Sequence, residues 1–346
     1  MTLAGDTRDA VEPAPAPAHP ERAGRNVLVV IGIDRYEHWH QLHNAVSDAD
    51  GARAEFLALG FEEVVPPLRN ASATRAALDE LVSDTLVNDP RAALRPDDSL
   101  VVFYAGHGGV RTVERNGKPV RVGHLIAVDA ATDRVSTWTN LEAWLRSVAL
   151  LPPRHILVIL DACFTGIALS SVMHWRGEEP APAEPLATLQ ARPSRRVITS
   201  ALDNERALDS GPIAGHSLFT GALIEALNGG IAGGGDTVTG SELAMWVRRR
   251  VRSFPNAQQT PDFGAFDHDE RGEIAIPLRR SARPTGEAVE VETARAARAA
   301  MAARPPVRVR RRSRRWLRTL WRERDWLLIA VSMLVAVAIA SISLRC

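Results

Sequence analysis

Two apolar runs, each followed by a residue capable of acid–base or nucleophilic chemistry, constrain the fold of this chain most. The first extends from His155 to Leu160 and lies between Pro153 and Gly166. A continuous apolar run, rather than an alternating one, is typical of a strand that is buried on both faces of a parallel sheet. The residues just past the carboxyl end of such a strand lie where open α/β sheets bind their ligands. Cys163 occupies that position in the chain.

The second run has the same form. It extends from Asp98 to Tyr104 and is followed by Ala105 and a Gly-His-Gly-Gly sequence whose histidine is His107. Glycines on both sides of His107 allow another backbone to approach closely. If both runs are parallel strands of one sheet, His107 and Cys163 follow strand ends at the same edge.

Strand and helix patterns alternate along the rest of the chain, and this order predicts a parallel sheet with right-handed crossovers. A polar stretch, 111–122, is centred on Asn116-Gly117 and predicts a hairpin. The predicted strands are 26–33, 62–66, 98–104, 155–160, 196–201 and 273–278, and the predicted helices are 43–59, 72–87, 138–150, 216–227 and 241–251.

A cysteine and a histidine at one sheet edge can form the catalytic unit of a thiol hydrolase. A free thiol is only a few per cent ionised at neutral pH, and the thiolate is the nucleophile. A nearby imidazole can activate the thiol and later protonate the leaving amine. The alternative is that Cys163 is a small buried apolar residue and His107 a hydrogen-bonded loop histidine. The presence of both, in this order at two strand ends, favours catalysis.

On the motifs Ala105-Gly-His-Gly-Gly109 and Asp161-Ala-Cys163, the chain resembles the caspase-like cysteine peptidases, and within them the bacterial metacaspase-like branch. The resemblance covers about 26–278. It implies an α/β fold with a caspase-like, mostly parallel six-stranded sheet flanked by helices. It also implies a catalytic dyad of His107 and Cys163, with the backbone amides of Gly108 and Cys163 stabilising the oxyanion.

The resemblance also divides the expected peptidase domain, 26–280. In relatives, a linker that is often cleaved separates a large from a small portion of this domain. The proline-rich stretch 167–194 has the matching place here, between a large part, 26–166, and a small part, 195–280. The candidate cleavage sites are Arg176, Arg192, Arg195 and Arg196.

Two aspartates are candidates for the substrate-binding pocket. Asp161 stands two residues before Cys163, and a carboxylate there would select a cationic side chain by charge pairing. Metacaspases carry Asp at this place and cleave after Arg or Lys, and Asp48 matches their second pocket aspartate. The alternatives are a strand-end turn former for Asp161 and a first-turn helix carboxylate for Asp48. The chain departs from the usual metacaspase pattern at Ala105 and Phe164, which replace Ser and His.

No cofactor is required by this interpretation. The two cysteines, Cys163 and Cys346, make no disulfide framework, and there is no CxxC spacing for zinc. His38, His40 and His43 have a spacing seen in metal sites, but an exposed loop ahead of a helix is the simpler interpretation. Some metacaspases use calcium through acidic loops, and the sequence leaves calcium activation open.

The two ends of the chain differ from the peptidase domain. Residues 1–25 are rich in Ala and Pro and predict a disordered leader, and 281–325 is an Ala- and Arg-rich tether. The stretch Val307–Asp325 contains nine arginines, and Trp326–Leu344 contains 19 residues without a charge. A helix of that length is about 28 Å long, which matches the hydrocarbon core of a bilayer.

This arrangement predicts a single C-terminal transmembrane helix at 326–344. The arginines on its amino-terminal side place the peptidase domain in the cytoplasm by the positive-inside rule and hold the tether near anionic lipid. A nucleic-acid-binding arm is the alternative for the basic run. It is less favoured because the adjacent apolar span accounts for those arginines and because the net charge of the whole chain is only +1.

The favoured function is therefore a membrane-anchored endopeptidase whose substrates are proteins or peptides with a basic P1 residue. A catalytically idle caspase-like scaffold at the membrane is one alternative, and a different cysteine hydrolase on a flavodoxin-like sheet is another. The sequence sets neither the oligomeric state nor the activating signal.

Overall fold

The structure is a computed structural model, and it describes residues 24–162, 184–201, 205, 208, 211–231, 236–255 and 257–278. The strands are β1 Asn26–Gly32, β2 Glu62–Glu63, β3 Leu68–Arg69, β4 Ser99–Ala105, β5 Gly108–Arg115, β6 Lys118–Leu125, β7 Thr139–Asn140, β8 His155–Asp161, β9 Ser194–Thr199, β10 Thr237–Thr239, β11 Asp262–Ala265 and β12 Ala275–Pro277. The helices are α1 Ala45–Ala58, α2 Arg75–Glu80, α3 Leu86–Asn88, α4 Leu141–Ala149, α5 Leu186–Gln190, α6 Leu218–Glu225 and α7 Gly240–Arg252.

The main sheet has seven strand segments. Its order is β11-β9-β8-β4-β1-β2, and β3 also pairs with β1. All pairs are parallel except β11 with β9, so the sheet is mixed. The predicted α/β fold with a mostly parallel sheet flanked by helices is confirmed.

Three details of the sheet differ from the prediction. Of the expected strand 62–66, only Glu62–Glu63 forms a strand, β2, and the short β3 follows beyond it. The expected last strand, β12, pairs with β10 in a separate two-stranded sheet. The edge strand β11 was not predicted. Its sequence, Asp-Phe-Gly-Ala, has no apolar run, and it is a strand because its backbone pairs with β9.

The central strands are buried on both faces, as their continuous apolar composition predicts. In β4, Val102 and Tyr104 belong to one core, and Val101 and Phe103 belong to the other. Helices α1, α6 and α7 cover the second face, and α4 covers the first together with α2 and α3, which a wide turn at Leu81–Thr85 connects. The carboxyl edge of the sheet lies between these two helical layers.

The predicted hairpin is present as β5 and β6. Asn116 and Gly117 have φ values of 55° and 72°, which is the left-handed pair that a tight two-residue hairpin requires. With β7 the hairpin forms a three-stranded sheet. It begins at Gly108, directly after His107, so the catalytic candidate lies at the junction of two sheets.

Several predicted features lie outside the described residues. These include residues 1–23 of the leader, most of the linker 167–194, the tether and the membrane span 326–344. Where the linker is described, it contains α5, and Ser194 already belongs to β9. None of the helices within the described parts of 24–278 combines the length and the apolar character needed to cross a bilayer.

Candidate active site

Neighbouring strand ends define the candidate site. Ala105 at the end of β4 pairs with Asp161 at the end of β8, and the N–H of Gly106 donates to the carbonyl of Asp161 at 3.2 Å. His107 follows Ala105 by two residues, and Cys163 follows Asp161 by two residues. Cys163 itself lies outside the described residues, which end on this strand at Ala162.

The imidazole of His107 is half-buried and held in one orientation. Its Nε2 lies 2.9 Å from the carbonyl oxygen of His40. A carbonyl oxygen can only accept, so Nε2 carries a proton and Nδ1 is the basic nitrogen of the neutral ring. The ring also contacts those of Tyr36 and His40, with centroid distances of 4.7 and 4.2 Å. Burial lowers the pKa of His107, which favours the neutral form that can accept a proton.

Asp161 is buried and accepts two hydroxyl hydrogen bonds. Ser217 Oγ and Thr220 Oγ1 donate to its Oδ2 at 2.6 and 2.7 Å. The pKa of Asp161 is raised to about 7, mainly by burial and also by the negative charge of Asp48, while the hydroxyl bonds oppose the shift. The side chain is therefore a carboxyl group whose charge is only partly stabilised by its own surroundings.

Asp48 lies in the first turn of α1, where the alternative interpretation of the sequence placed it, and is also buried. Its Oδ1 accepts from His216 Nδ1 and from the backbone N–H of Ser217, each at 3.0 Å. Burial raises the pKa of Asp48, and the hydrogen bonds from His216 and Ser217 act against that shift. Ser217 therefore joins the two aspartates: its N–H donates to Asp48 and its hydroxyl donates to Asp161. We call Asp48 and Asp161 the carboxylate pair.

Gly108 begins the hairpin, and its N–H is directed away from β6. Ile126 N donates to the carbonyl of His107 at 3.2 Å, and Gly108 pairs with Leu125. In an antiparallel ladder, hydrogen-bonding residues alternate, so Gly108 lies in a non-hydrogen-bonded pair. An N–H with this direction can serve a group outside the hairpin.

Sequence reasoning missed the groups that hold these residues. Ser217, Thr220 and His216 were assigned only to a helix, although a serine ahead of an apolar helix is an N-cap signal, and Ser217 does cap α6. His40 was interpreted as part of an exposed loop. Its ring is exposed, but its carbonyl binds His107, and a backbone carbonyl leaves no trace in the sequence.

Metal binding finds no support among the residues that the structure describes, where no group of three or more His, Cys, Asp or Glu side chains could hold an ion.

The fold and this edge define the class of protein: an α/β domain with a histidine and a carboxylate, His107 and Asp161, at the carboxyl ends of neighbouring parallel strands. The family model of the caspase domain, peptidase C14, matches residues 25–269. The chain belongs to this family and carries a caspase-type cysteine peptidase domain, so the predicted resemblance is confirmed. No curated protein matches the chain significantly.

Proposed function

We propose that the protein is a cysteine endopeptidase that cleaves after Arg or Lys. The carboxylate pair carries this proposal. Asp48 and Asp161 are both buried and both have a raised pKa. Among the described residues, the groups that shift these two pKa values include the ring of His216 but no Lys or Arg side chain. A substrate guanidinium or ammonium group that reached this pair would supply the missing positive charge.

The register of the sheet supports a dyad of His107 and Cys163. Both residues follow the paired residues Ala105 and Asp161 by two positions. In this mechanism, His107 Nδ1 takes the thiol proton and the Cys163 sulfur attacks the substrate carbonyl. The imidazolium then gives its proton to the departing amine, and water hydrolyses the thioester with His107 as base.

The oxyanion of each tetrahedral intermediate needs N–H donors that are already in place. The outward direction of the Gly108 N–H supports its assignment as one donor, and the N–H of Cys163 is the second donor in this proposal. We also propose that the reaction needs no cofactor. Calcium activation stays open, and the rate of cleavage with and without added calcium tests it.

Fluorogenic peptides that end in Arg, Lys or Asp test the proposal. Wild type should cleave the Arg and Lys peptides and leave the Asp peptide intact, and Cys163→Ala should be inactive with all three. Activity that survives Cys163→Ala, or a preference for Asp, would refute the proposal. A correctly folded wild type that cleaves no peptide would favour the idle scaffold.

We further propose that the peptidase domain is tethered to a membrane from the cytoplasmic side by 326–344. The support is the uncharged run of 19 residues and the nine arginines before it. Full-length protein should fractionate with membranes and resist extraction by salt, whereas a chain ending at residue 306 should not sediment. Release of the full-length chain from membranes by salt would contradict the anchor.

A further inference from the structure

We infer that Tyr36 and Tyr104 are positioning residues that hold the backbone of His107 and thereby orient its imidazole. The inference deepens the proposed function, because it assumes that His107 is the base of the peptidase. It concerns two side chains that have no part in the mechanism proposed above.

The two phenols bind both backbone polar groups of His107. The N–H of His107 donates to Tyr36 Oη at 2.7 Å. The hydroxyl of Tyr104 donates to the carbonyl of His107 at 2.9 Å and to that of Ile126 at 3.1 Å. The two phenol oxygens also lie close together, since a Cβ atom on Gly106 would be within 3 Å of both. Tyr36 and Tyr104 therefore bind both polar groups of one backbone residue, and we call them the phenol pair.

The position of His107 between two strands explains why its backbone needs the two phenols. The residue lies after β4 and before β5, outside both strands. Its neighbours, Gly106 and Gly108, have the least restricted backbones of all residues. Without further contacts, the segment could adopt several conformations, and each would place the imidazole differently.

The preceding glycine is itself explained by the tyrosines. A Cβ atom on Gly106 would lie 2.6 Å from Tyr36 Oη and 2.9 Å from Tyr104 Oη. A side chain at this position would therefore displace the hydroxyls from His107. The two phenols can approach His107 this closely because residue 106 has no side chain.

Packing alone does not account for two tyrosines here. Tyr36 and Tyr104 are 5% and 0% exposed, and they are the only tyrosines in the chain. Phenylalanine would fill the same volume without burying a hydroxyl, which costs free energy unless it is hydrogen-bonded. The hydroxyls matter because they bind the His107 backbone, and the ring of Tyr36 adds a direct contact with the imidazole.

The variant Tyr36→Phe tests the inference, since it keeps the ring and removes the acceptor of the His107 N–H. We expect kcat/KM for an Arg peptide to fall about 10- to 100-fold through kcat, because misplacement of a catalytic group by about 1 Å has effects of that size. KM should change less than about twofold, since the carboxylate pair is untouched. Tyr104→Phe should have a similar effect.

The two substitutions should not be additive. Both hydroxyls bind the backbone of His107. The double variant should therefore lose about as much activity as the worse single variant, and not the product of the two losses. A matched control is Ser99→Ala, which removes a hydroxyl from the opposite end of the same strand, where Ser99 Oγ lies 3.2 Å from His155 Nδ1. This control should keep the kcat of wild type.

Alkylation by iodoacetamide separates positioning from a loss of stability. The thiolate reacts, so the pH dependence of Cys163 alkylation reports its pairing with His107. In folded Tyr36→Phe, the midpoint should move upward toward the value of a free thiol, about 8.5. Cys346, followed by mass spectrometry in the same chain, is the internal reference and should not change.

Three results would overturn the inference: an alkylation profile identical to that of wild type, a fall in activity that only matches the unfolded fraction, or losses that multiply in the double variant. If Tyr36→Phe does not fold, Tyr104→Phe decides, and a kcat within about threefold of wild type overturns the inference. Failure of the proposed function is distinct, because the Cys163→Ala and His107→Ala chains would then be as active as wild type.

Discussion

The charge of Asp161 should determine how strongly the enzyme prefers arginine to citrulline, its neutral isostere, at P1. Because the pKa of Asp161 in the empty site is about 7, about one tenth of the side chains are ionised at pH 6 and about nine tenths at pH 8. The ratio of kcat/KM for the two substrates should therefore rise about tenfold over this range. A hydrogen-bonded charge pair contributes about 1.5–3 kcal/mol, which limits the preference to about 10- to 100-fold.

The ratio isolates the pocket, because the ionisation of His107 and Cys163 affects both substrates equally and cancels. The assay measures kcat/KM for two peptides that differ only at P1, from pH 5.5 to 8. The variant Asp161→Asn should give a low ratio that does not change with pH.

Glu273→Gln is the matched control. Burial also raises the pKa of Glu273, but this carboxyl accepts its hydrogen bonds from Ser241 and lies outside the candidate site. In this control, the ratio of kcat/KM for the two substrates should rise with pH as much as it does in wild type. A ratio that is constant with pH in wild type, or one whose midpoint lies near 4, the ordinary value for an aspartate, would refute the reasoning.

Three further predictions concern stability and pocket geometry. Asp98→Asn should lower the free energy of unfolding at pH 7 by about 3–5 kcal/mol in urea titrations, because it breaks the buried pair with Arg25. Burial would raise the pKa of Asp98, but bonds from Arg25 hold it below its usual value, so the loss should shrink as the pH falls below about 4. Gly51→Ala should raise KM for Arg peptides and lower Tm, because its Cβ would lie 2.5 Å from His216 Cε1. This close contact should outweigh the stabilisation of about 1 kcal/mol that alanine otherwise gives a helix relative to glycine. The stability of wild type should decline as the pH rises from about 4 to 7, since a carboxyl group with a raised pKa stabilises the fold only below that range. This decline should disappear in Asp161→Asn. If the free energy of unfolding of the variant, from urea titrations, declined with pH as in wild type, the expectation would be contradicted.

The strands at the centre of the sheet were predictable because their burial depends on local composition. β4 and β8 are continuous apolar runs, and both faces of each are covered. The turn at Asn116-Gly117 was predictable for a similar reason, since two adjacent left-handed residues suit that dipeptide. The edge strand β11 could not be found this way, because only its partner β9 makes it a strand.

In the candidate site, too, local sequence identified some residues, and contacts between distant segments were not predictable. The sequence made His107 and Asp161 candidates because each lies at the end of a predicted strand, and it made Asp48 a candidate because it matches the metacaspase pattern. The bonds that prepare them come from elsewhere in the chain. Ser217, which joins the carboxylate pair, is separated from Asp48 by 169 residues, and the His40 carbonyl is separated from His107 by 67.

The order of apolar and polar residues was sufficient to establish which segments are buried and which residue types follow each strand, because burial and backbone preference act over a few residues. Folding decided the protonation preference of the two aspartates, the tautomer of His107 and the binding of its backbone by two phenols. These properties depend on desolvation and on hydrogen bonds a few ångströms long, and only the packed chain brings distant donors, acceptors and charges to such separations.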